Sequence, residues 1–458
     1  MRENIIYISY LISAVLFILG LKMLSHPKTA RNGNFLSAFG MLIAICATLF
    51  ERNVINYQLI IIGIILGSAI GAFLAVTVKM TEMPQIVGLL NGYGGLASAL
   101  VVISEYVRLH PTPTSYEIST ILITLVIGLI TFSGSLVAYG KLQGIVTGQP
   151  VTYPFQKTLN LLQLFVIVTG AIFLFMHPEH ILWAGVICAI SFSLGILLVL
   201  PIGGADMPVV VALLNSYSGM AACAAGFALS NYALIVTGAL VGASGMILTR
   251  IMCKAMNRSL TNVMFGAFGK VEASATAATN GKAKSVQGYS VDDAQIVLEN
   301  ANEVIIVPGY GLAVAQAQHN LRELADMLEA KGVEVKYAIH PVAGRMPGHM
   351  NVLLAEANVP YEKLYEMDQI NTEFERADVA LVVGANDVTN PAAKNNPGSP
   401  IYGMPILDVD KAKTIIFLKR SMAAGFAGIE NELFYLPKTM MIFGDAKKTV
   451  VDMVNVLK

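Results

Sequence analysis

Nine apolar runs occupy the first 260 residues of this 458-residue chain and constrain that half to a membrane fold. A membrane-spanning helix needs about 20 mainly apolar residues, because its backbone polar groups must all be satisfied within the segment. The second run, residues 35–50, is short for a span. We predict an α-helical membrane domain of about nine transmembrane helices over residues 1–260. The runs are centred near residues 14, 42, 66, 94, 128, 167, 190, 218 and 240.

Charged residues divide the chain into two halves of different character. Residues 1–260 hold 19 of the 60 charged residues, and the remaining 198 residues hold 41. If the chain after residue 250 is cytoplasmic, nine Lys and Arg residues flank the spans on that side and three on the other. This bias agrees with the positive-inside rule. We therefore expect a multi-pass protein in the lipid bilayer with a cytoplasmic second half, and the zero net charge gives no indication of nucleic-acid binding.

The second half has the pattern of an α/β domain. Residues 261–292 are rich in Ala, Ser, Thr and Gly, and we predict a linker there. Over residues 293–458, apolar strand-like runs alternate with helical stretches, notably 312–330 and 446–457. This alternation predicts a Rossmann-like parallel sheet covered by helices on both faces. The strand-like runs are 304–309, 333–339, 379–385, 414–420 and 440–446.

A duplicated segment carries polar residues into the membrane half. The stretch EMPQIVGLLNGYGG recurs 124 residues later as DMPVVVALLNSYSG, with eight identities in fourteen positions. The repeat aligns Glu82 with Asp206 and Asn91 with Asn215. Small residues share a helix face with each asparagine, so we expect both amides in tight helix interfaces rather than in lipid. Both copies enter the membrane from the same side and form a parallel repeat.

Two interpretations of this repeat remain open. Polar side chains at membrane depth are costly and usually mark interhelical hydrogen bonds or an ion path. On this interpretation Asn91 and Asn215 line a central path. Glu82 and Asp206 lie at its cytoplasmic end, each before a Pro-started helix whose positive end suits a carboxylate. The alternative is duplication of a helix hairpin for packing alone.

A glycine motif follows the first strand of the α/β half. The chain reads VIIVPGYGLAVAQAQ, which is a strand, then GxGxxV, then an Ala-rich helix. The glycines allow a tight turn and let a pyrophosphate approach the helix N-terminus, although Val occupies a position where Gly or Ala is commoner. The predicted cofactor-binding residues of this motif are Gly309, Tyr310, Gly311, Ala313 and Val314.

The ends of two other strands favour NADP over NAD. An NAD site usually has Asp or Glu at the end of the second strand, but here that strand ends in His340-Pro341. A later strand ends in Lys419-Arg420-Ser421, and two cations beside a hydroxyl suit a 2′-phosphate. The alternative is a solvated basic strand end.

Further glycine-rich loops lie at predicted strand ends, where open α/β sheets bind their ligands. Asp387, in one of these loops, is either structural or titrates with the redox state of a nearby nicotinamide. The two histidines of the outer MHPEH loop are predicted to be solvated, and we predict no metal site. The loop residues predicted to bind the cofactor are Gly344, Arg345, Met346, Pro347, Gly348, Gly384, Ala385, Asn386, Asp387, Gly425, Phe426, Ala427, Gly428, Gly444 and Asp445.

Taken together, these segments resemble the β subunit of the proton-translocating NAD(P) transhydrogenases over essentially the full length. The stretches that carry the resemblance are VPGYGLAVAQAQ, AGRMPGHMNVLLAEA, GANDVTNPAA, KRSMAAGFAGIENELFY, GDAKK and ADMPVVVALLNSYSG. The resemblance implies direct hydride transfer between NAD(H) and NADP(H), coupled to proton translocation. It implies that this chain binds NADP(H), while an α subunit or subunits carry the NAD(H) domain and further membrane helices. It also implies a dimer of such units in the bacterial inner membrane.

The resemblance assigns roles to the predicted site. Residues 309–314 and 344–348 would contact the pyrophosphate and nearby ribose, and residues 419–421 would hold the 2′-phosphate. Residues 425–428 would form a lid over the nucleotide. Asp387 would sense the nicotinamide and link its state to protonation, and no protein nucleophile is expected.

Two positions depart from the family pattern. His is frequent where Asn91 stands, so the resemblance leaves the proton carrier to water held by Asn91 and Asn215 or to a partner histidine. Tyr is usual where Phe426 stands, which removes a hydroxyl from the lid. The competing interpretation is an ion channel or transporter gated by a cytoplasmic NADP-sensing domain. A membrane-anchored NADP reductase that does not pump is a third, for which nine spans are unnecessary.

Overall fold

The chain folds into two compact units. One comprises Met1–Pro201 and Val210–Thr249, and the other comprises Ile202–Val209 and Arg250–Lys458. The computed structural model describes residues 2–24, 27–51, 57–265, 286–399, 401–425 and 427–458.

Nine helices in the described ranges are long and apolar enough to span a membrane, which confirms the predicted number. The prediction that the second span is short was wrong, because its polar start at residues 29–34 continues the helix. There Gly33 packs closely on the preceding helix, and a Cβ on Gly33 would lie 2.7 Å from Gly20 O. The helices are α1 (Arg2–Leu24), α2 (Pro27–Glu51), α3 (Tyr57–Thr77), α4 (Met83–Leu109), α5 (Ser115–Gln143), α6 (Gln156–Met176), α7 (Ile181–Val199), α8 (Met207–Ala228) and α9 (Tyr232–Ala255).

Both copies of the repeat begin in the same way. A single 3-10 turn ends at Glu82 or Asp206, and the repeat helix α4 or α8 follows with Pro as its second residue. Each repeat helix then packs through glycine on the next helix. A Cβ on Gly95 would lie 2.7 Å from the backbone of α5, and one on Gly219 would lie 2.9 Å from a carbonyl of α9. The small faces predicted beside the two asparagines are therefore helix interfaces.

The C-terminal part contains six strands: β1 (Glu303–Pro308), β2 (Glu334–Ile339), β3 (Leu364–Glu366), β4 (Val379–Val383), β5 (Thr414–Lys419) and β6 (Thr439–Phe443). They form one sheet in the order β3-β2-β1-β4-β5-β6, and every neighbouring pair is parallel. This is the strand order of the doubly wound dinucleotide-binding fold. The five predicted strands are present. The strand β3 was not predicted, because it is a three-residue edge strand without a buried residue.

Eight shorter helices follow α9 in the described part of the chain. The predicted helix at 446–457 is confirmed, but the one predicted at 312–330 is two helices. The break falls at Gln316, whose φ of 50° is left-handed and stops the helical hydrogen-bond ladder. The helices are α10 (Leu260–Phe265), α11 (Val291–Glu299), α12 (Tyr310–Ala315), α13 (Gln318–Ala330), α14 (His349–Glu356), α15 (Met367–Ile370), α16 (Ala392–Asn395) and α17 (Ala446–Leu457).

The predicted linker lies partly outside the described residues, which resume at Val286. From there the chain is hydrogen-bonded to β6, because Tyr289 N donates to Met441 O at 2.8 Å. Ser290 then caps α11 through a reciprocal capping box with Asp293. The domain limits 1–260, 261–292 and 293–458 stay a prediction.

Candidate functional site

The carboxyl ends of β1 and β4 lie side by side where the strand order reverses, the usual ligand position in this fold. Gly309 N donates to Val383 O at 2.9 Å, and Gly311 N donates to Gly384 O at 2.9 Å. A Cβ on Gly309 would collide with the backbone of Ala385, and one on Gly311 would lie 2.6 Å from Gly384 Cα. The contact between the two loops therefore requires glycine, whether or not a phosphate approaches.

The third motif position tolerates Val because this residue lies on the exposed side of α12. Ala313 is fully buried, whereas the side chain of Val314 is 41% exposed. The buried residue nearest to the third position of the motif is thus Ala313, one position before it. Since α12 ends at Ala315, the dipole available at its N-terminus is that of six residues.

The loop after β2 is joined to the first glycine loop. Arg345 N donates to Nδ1 of His349 at 3.1 Å, and the Arg345 guanidinium lies 4.4 Å from the centre of the Tyr310 ring. Gly344 has a φ of 109°, and a Cβ there would lie 2.6 Å from His349 Cβ. Met346 is buried, whereas Gly348 is exposed.

The loop after β4 meets the predicted lid segment. Asp387 Oδ2 accepts a hydrogen bond from Ala427 N at 3.0 Å. A Cβ on Gly425 would lie 2.5 Å from Asp387 Oδ1 and 2.7 Å from Asn386 Nδ2. The structure therefore brings Asn386, Asp387, Gly425 and Ala427 together, while Phe426 lies outside the described residues.

The basic strand end is partly ordered by the protein itself. Lys419 Nζ donates to the Ala423 carbonyl and lies 4.7 Å from the centre of the Phe434 ring. Burial lowers the pKa of Lys419, and the negative charge of Asp387 opposes that shift. Arg420 and Ser421 are exposed, so their side chains are accessible to an anion.

Two other predicted residues have a structural role in the described chain. Gly444 N donates to Lys419 O at 3.0 Å, which ties the ends of β5 and β6 together. Asp445 caps α17, since its Oδ1 accepts from Lys447 N at 3.1 Å and from Lys448 N at 3.2 Å.

His340 occupies the position where an NAD site would have an acid. It is 2% exposed, its Nδ1 lies 3.2 Å from Val342 N, and its Nε2 lies 2.8 Å from Pro405 O. Because Val342 N can only donate, Nδ1 accepts and Nε2 carries the proton. Burial lowers the pKa of His340 to about 4. The residue therefore holds neighbouring loops as a neutral ring.

In the membrane half, the two repeat copies touch directly. Asn91 is 7% exposed, and its Nδ2 donates to Val211 O on α8 at 3.3 Å. Asn215 is half-buried, and within the described part of the chain its amide has no hydrogen-bond partner. The equivalent asparagines therefore have different environments.

The two repeat acids differ as well. Asp206 Oδ2 accepts from Arg258 Nη1 at 2.7 Å, and Asp206 Oδ1 is buried with no partner among the described residues. Burial raises the pKa of Asp206, and the Arg258 charge opposes that shift. Glu82 is half-buried at the N-cap of α4 and makes no capping hydrogen bond there.

Comparison with known proteins decides the family. Residues 6–456 match the family described as NAD(P) transhydrogenase beta subunit. The chain belongs to this family. It is 52% identical over 468 aligned positions to a Rhodospirillum rubrum protein named NAD(P) transhydrogenase subunit beta, and the match covers 100% of both chains. A second protein of that name, from a defined strain of the same species, is also 52% identical over 100% of both chains.

Membership confirms the resemblance drawn from the motifs. The chain is the β subunit of an NAD(P) transhydrogenase, an enzyme that uses both NADP(H) and NAD(H) and includes an α subunit. The nine long apolar helices in its described residues make it a multi-pass membrane protein. The interpretation as a nucleotide-gated channel or transporter is not favoured.

Sequence reasoning missed three residues that organise these sites. Asn431 is fully buried and bonds to the loop after β4, His340 holds the loop after β2, and Arg258 pairs with Asp206. The sequence offered a weak signal only for Asn431, a polar residue within the conspicuous stretch GIENELFY.

Proposed function

We propose that this chain binds NADP(H) at the switch point of its sheet and carries protons through its membrane helices while the α subunit binds NAD(H). The observation that carries the proposal is the meeting of the glycine loops after β1 and β4, beside the Lys419-Arg420-Ser421 end of β5. Loops at the carboxyl ends of these three adjacent strands can reach one extended dinucleotide.

The chemistry of the donor set fits NADP(H). The exposed Arg420 and Ser421, with Lys419, offer two cations and a hydroxyl to a 2′-phosphate. Residues 309–314 and 344–348 would face the pyrophosphate and its riboses, with Arg345 held in place over Tyr310. Gly425 and Ala427 lie against Asp387, and the segment 425–428 would close over the nucleotide.

When bound, the nucleotide supplies the hydride or accepts it, and this chain binds and orients it. Asp387 would respond to the nucleotide, because its carboxylate accepts a hydrogen bond from Ala427 N and lies close enough to Lys419 to oppose the lowering of that lysine's pKa by burial. Gain or loss of a proton at Asp387 would change both interactions.

The proton path is proposed along the repeat helices. Asn215 has an amide that is free, among the described residues, to hold water at membrane depth, and Asn91 ties α4 to α8 at a similar level. Directly before α8, Asp206 has a buried Oδ1 with no hydrogen-bond partner among the described residues. A proton arriving there would neutralise a carboxylate that burial already makes easier to protonate. Glu82 occupies the equivalent position before α4.

Three further features are proposed on the charge bias and the family. The nucleotide domain lies in the cytoplasm, the protein lies in the bacterial inner membrane, and two units of α and β chains form a dimer. The limits of the membrane domain, linker and nucleotide domain are proposed at 1–260, 261–292 and 293–458.

Inverted vesicles containing this chain and its α subunit test the proposal. NADPH and an oxidised NAD analogue are added, and analogue reduction is followed together with a pH-sensitive dye. We expect reduction with acidification of the lumen that an uncoupler relieves. Reduction without a pH change would reject the proton path, and the absence of NADP⁺ binding to the isolated β chain would reject the site.

A further inference from the structure

A recess of about 210 Å³ lies among the membrane helices α4, α5, α6 and α7, away from the nucleotide site. Its floor consists of buried side chains, and Ile118, Leu125 and Leu174 are at most 2% exposed. Its rim includes Val107 and Ile181, which are 57% and 46% exposed. The recess therefore opens to the outside of this group of helices and is not a closed void.

The recess lies in one half of the membrane. The helix α7 has 19 residues, so at 1.5 Å per residue it is about 28 Å long, close to the roughly 30 Å of the hydrocarbon core. Its lining residues lie between Ile181 and Cys188, in the first two turns. The lining residues of α4 lie at the end of that helix away from Glu82. The recess therefore faces the acyl chains of the leaflet opposite Glu82.

The recess offers apolar contacts almost exclusively. Of its lining residues in the described structure, only Tyr106 and Cys188 carry a polar side-chain atom. The Tyr106 hydroxyl already donates to Pro178 O at 2.8 Å. Water does not fill a cavity that lacks polar partners, and a polar ligand would leave its own groups unsatisfied there. A hydrocarbon chain is the ligand whose chemistry matches.

The size of the recess distinguishes a single chain from a helix of a partner. One turn of an α-helix, about 10 Å across and 5.4 Å long, occupies about 420 Å³, roughly twice the volume of the recess. A Cβ on Gly185 would meet nothing within 4 Å, so the space extends to the backbone of α7. A flexible chain that fills this space gains the van der Waals contacts that drive association in lipid.

We infer that the recess formed by α4, α5, α6 and α7 binds one acyl chain of a phospholipid from the leaflet opposite Glu82. Aromatic residues mark the level of the headgroup, since Trp183 lies in the first turn of α7, directly before the lining residue Ala184. The headgroup end of the lipid therefore lies near Trp183, and the chain extends towards Leu125. The inference does not depend on the proposed NADP(H) site.

Trp183 is the single tryptophan of the chain and reports on the recess. The full-length chain is purified without lipid in a steroid-based detergent, whose fused rings are wider than an acyl chain. Phosphatidylcholine with brominated acyl chains, which quench tryptophan fluorescence, is then titrated into it. We expect quenching that saturates at one lipid per chain.

Two glycine substitutions separate the recess from the rest of the membrane surface. Gly185→Leu places a side chain in the recess and should abolish the saturable quenching. Gly67 is the matched control, because it also has open space beside it but lies on α3 and does not line the recess. Gly67→Leu should leave the quenching unchanged.

Cys188 gives a second measurement, because it lines the recess and is half-buried. Its alkylation by N-ethylmaleimide is followed by mass spectrometry of the peptide that contains it. Unbrominated phosphatidylcholine should slow this alkylation in the wild type and leave it unchanged in Gly185→Leu. The slowing by lipid should persist in the complex with the α subunit.

Four results would overturn the inference. They are quenching that rises without saturation, saturable quenching that survives in Gly185→Leu, its equal loss in Gly67→Leu, and loss of the effect of lipid on Cys188 when the α subunit is added. The last result would assign the recess to a subunit contact. If Gly185→Leu fails to fold, the stoichiometry of quenching and the alkylation of Cys188 in the wild type decide.

Discussion

A buried neutral histidine makes the stability of the nucleotide domain depend on pH. His340 accepts from Val342 N and donates to Pro405 O, and burial lowers its pKa to about 4 from an ordinary value of 6.5. The unfolded chain therefore binds a proton on this ring at a higher pH than the folded chain does. The stability that His340 contributes is complete above pH about 6.5 and is lost as the pH falls towards 4.

The magnitude follows from the size of the pKa shift. A difference of about 2.5 pKa units corresponds to about 3.4 kcal/mol once the pH lies well below 4. At pH 5 the loss is already about 2 kcal/mol, a pH at which most carboxylates remain charged. His340→Gln retains a donor for Pro405 O and does not titrate, so we expect this loss to be absent from the variant.

Hydrogen exchange of the full-length chain in detergent measures the effect. Opening free energies of amides in β1, β2 and β4, corrected for intrinsic exchange rates, are compared at pH 7.5 and pH 5. The wild type should lose about 2 kcal/mol more than His340→Gln between these pH values. His319→Gln, which replaces an exposed histidine of α13, should behave as the wild type. The same pH dependence in the wild type and His340→Gln would refute the reasoning.

Three further substitutions test the two sites. Gly309→Ala places a Cβ against the Ala385 backbone and should cost about 1–3 kcal/mol and weaken NADP⁺ binding, measured by thermal unfolding and calorimetry. Arg258→Met leaves Asp206 buried without its countercharge, so the pKa of Asp206 should rise further. The pH profile of proton uptake by the vesicles, followed with the dye, should then shift to higher pH. Arg258→Lys should restore the wild-type profile in part. Asn215→Leu should abolish acidification in that assay, and intact pumping would remove Asn215 from the path.

The sequence predicted the parts of the fold that depend on local pattern. Apolar length located all nine spans, and apolar runs located five strands, because burial imposes that composition along the chain. The start of α2 was missed because hydropathy does not report a polar helical turn. The strand β3 was missed because its residues, Leu364–Glu366, are half-buried or exposed at the sheet edge. The break at Gln316 depends on one backbone angle that no composition signals.

The candidate site was predictable only where its residues follow strands. Gly309 and Gly384 directly follow β1 and β4, and Lys419 is the last residue of β5, so the parallel sheet brings them to one edge. Asn431 and Arg258 reach their partners across 45 and 52 residues of chain, and a single sequence contains no signal for such pairings. The glycines also have a reason that the motif does not give, since the loops after β1 and β4 pack backbone against backbone.

The repeat shows how one sequence pattern can occur in two different environments. Both copies start with a 3-10 turn that ends in an acid, and both pack through glycine, so the pattern determines the local structure of each copy. The surroundings then separate them, because Asn91 bonds to Val211 O whereas Asn215 keeps its amide available within the described structure. A donor to a carbonyl needs no titratable group, so Asn suffices at position 91 even though the family often has His there. The second copy combines a half-buried Asn215 whose amide has no partner among the described residues with a buried acid, Asp206, directly before the same helix.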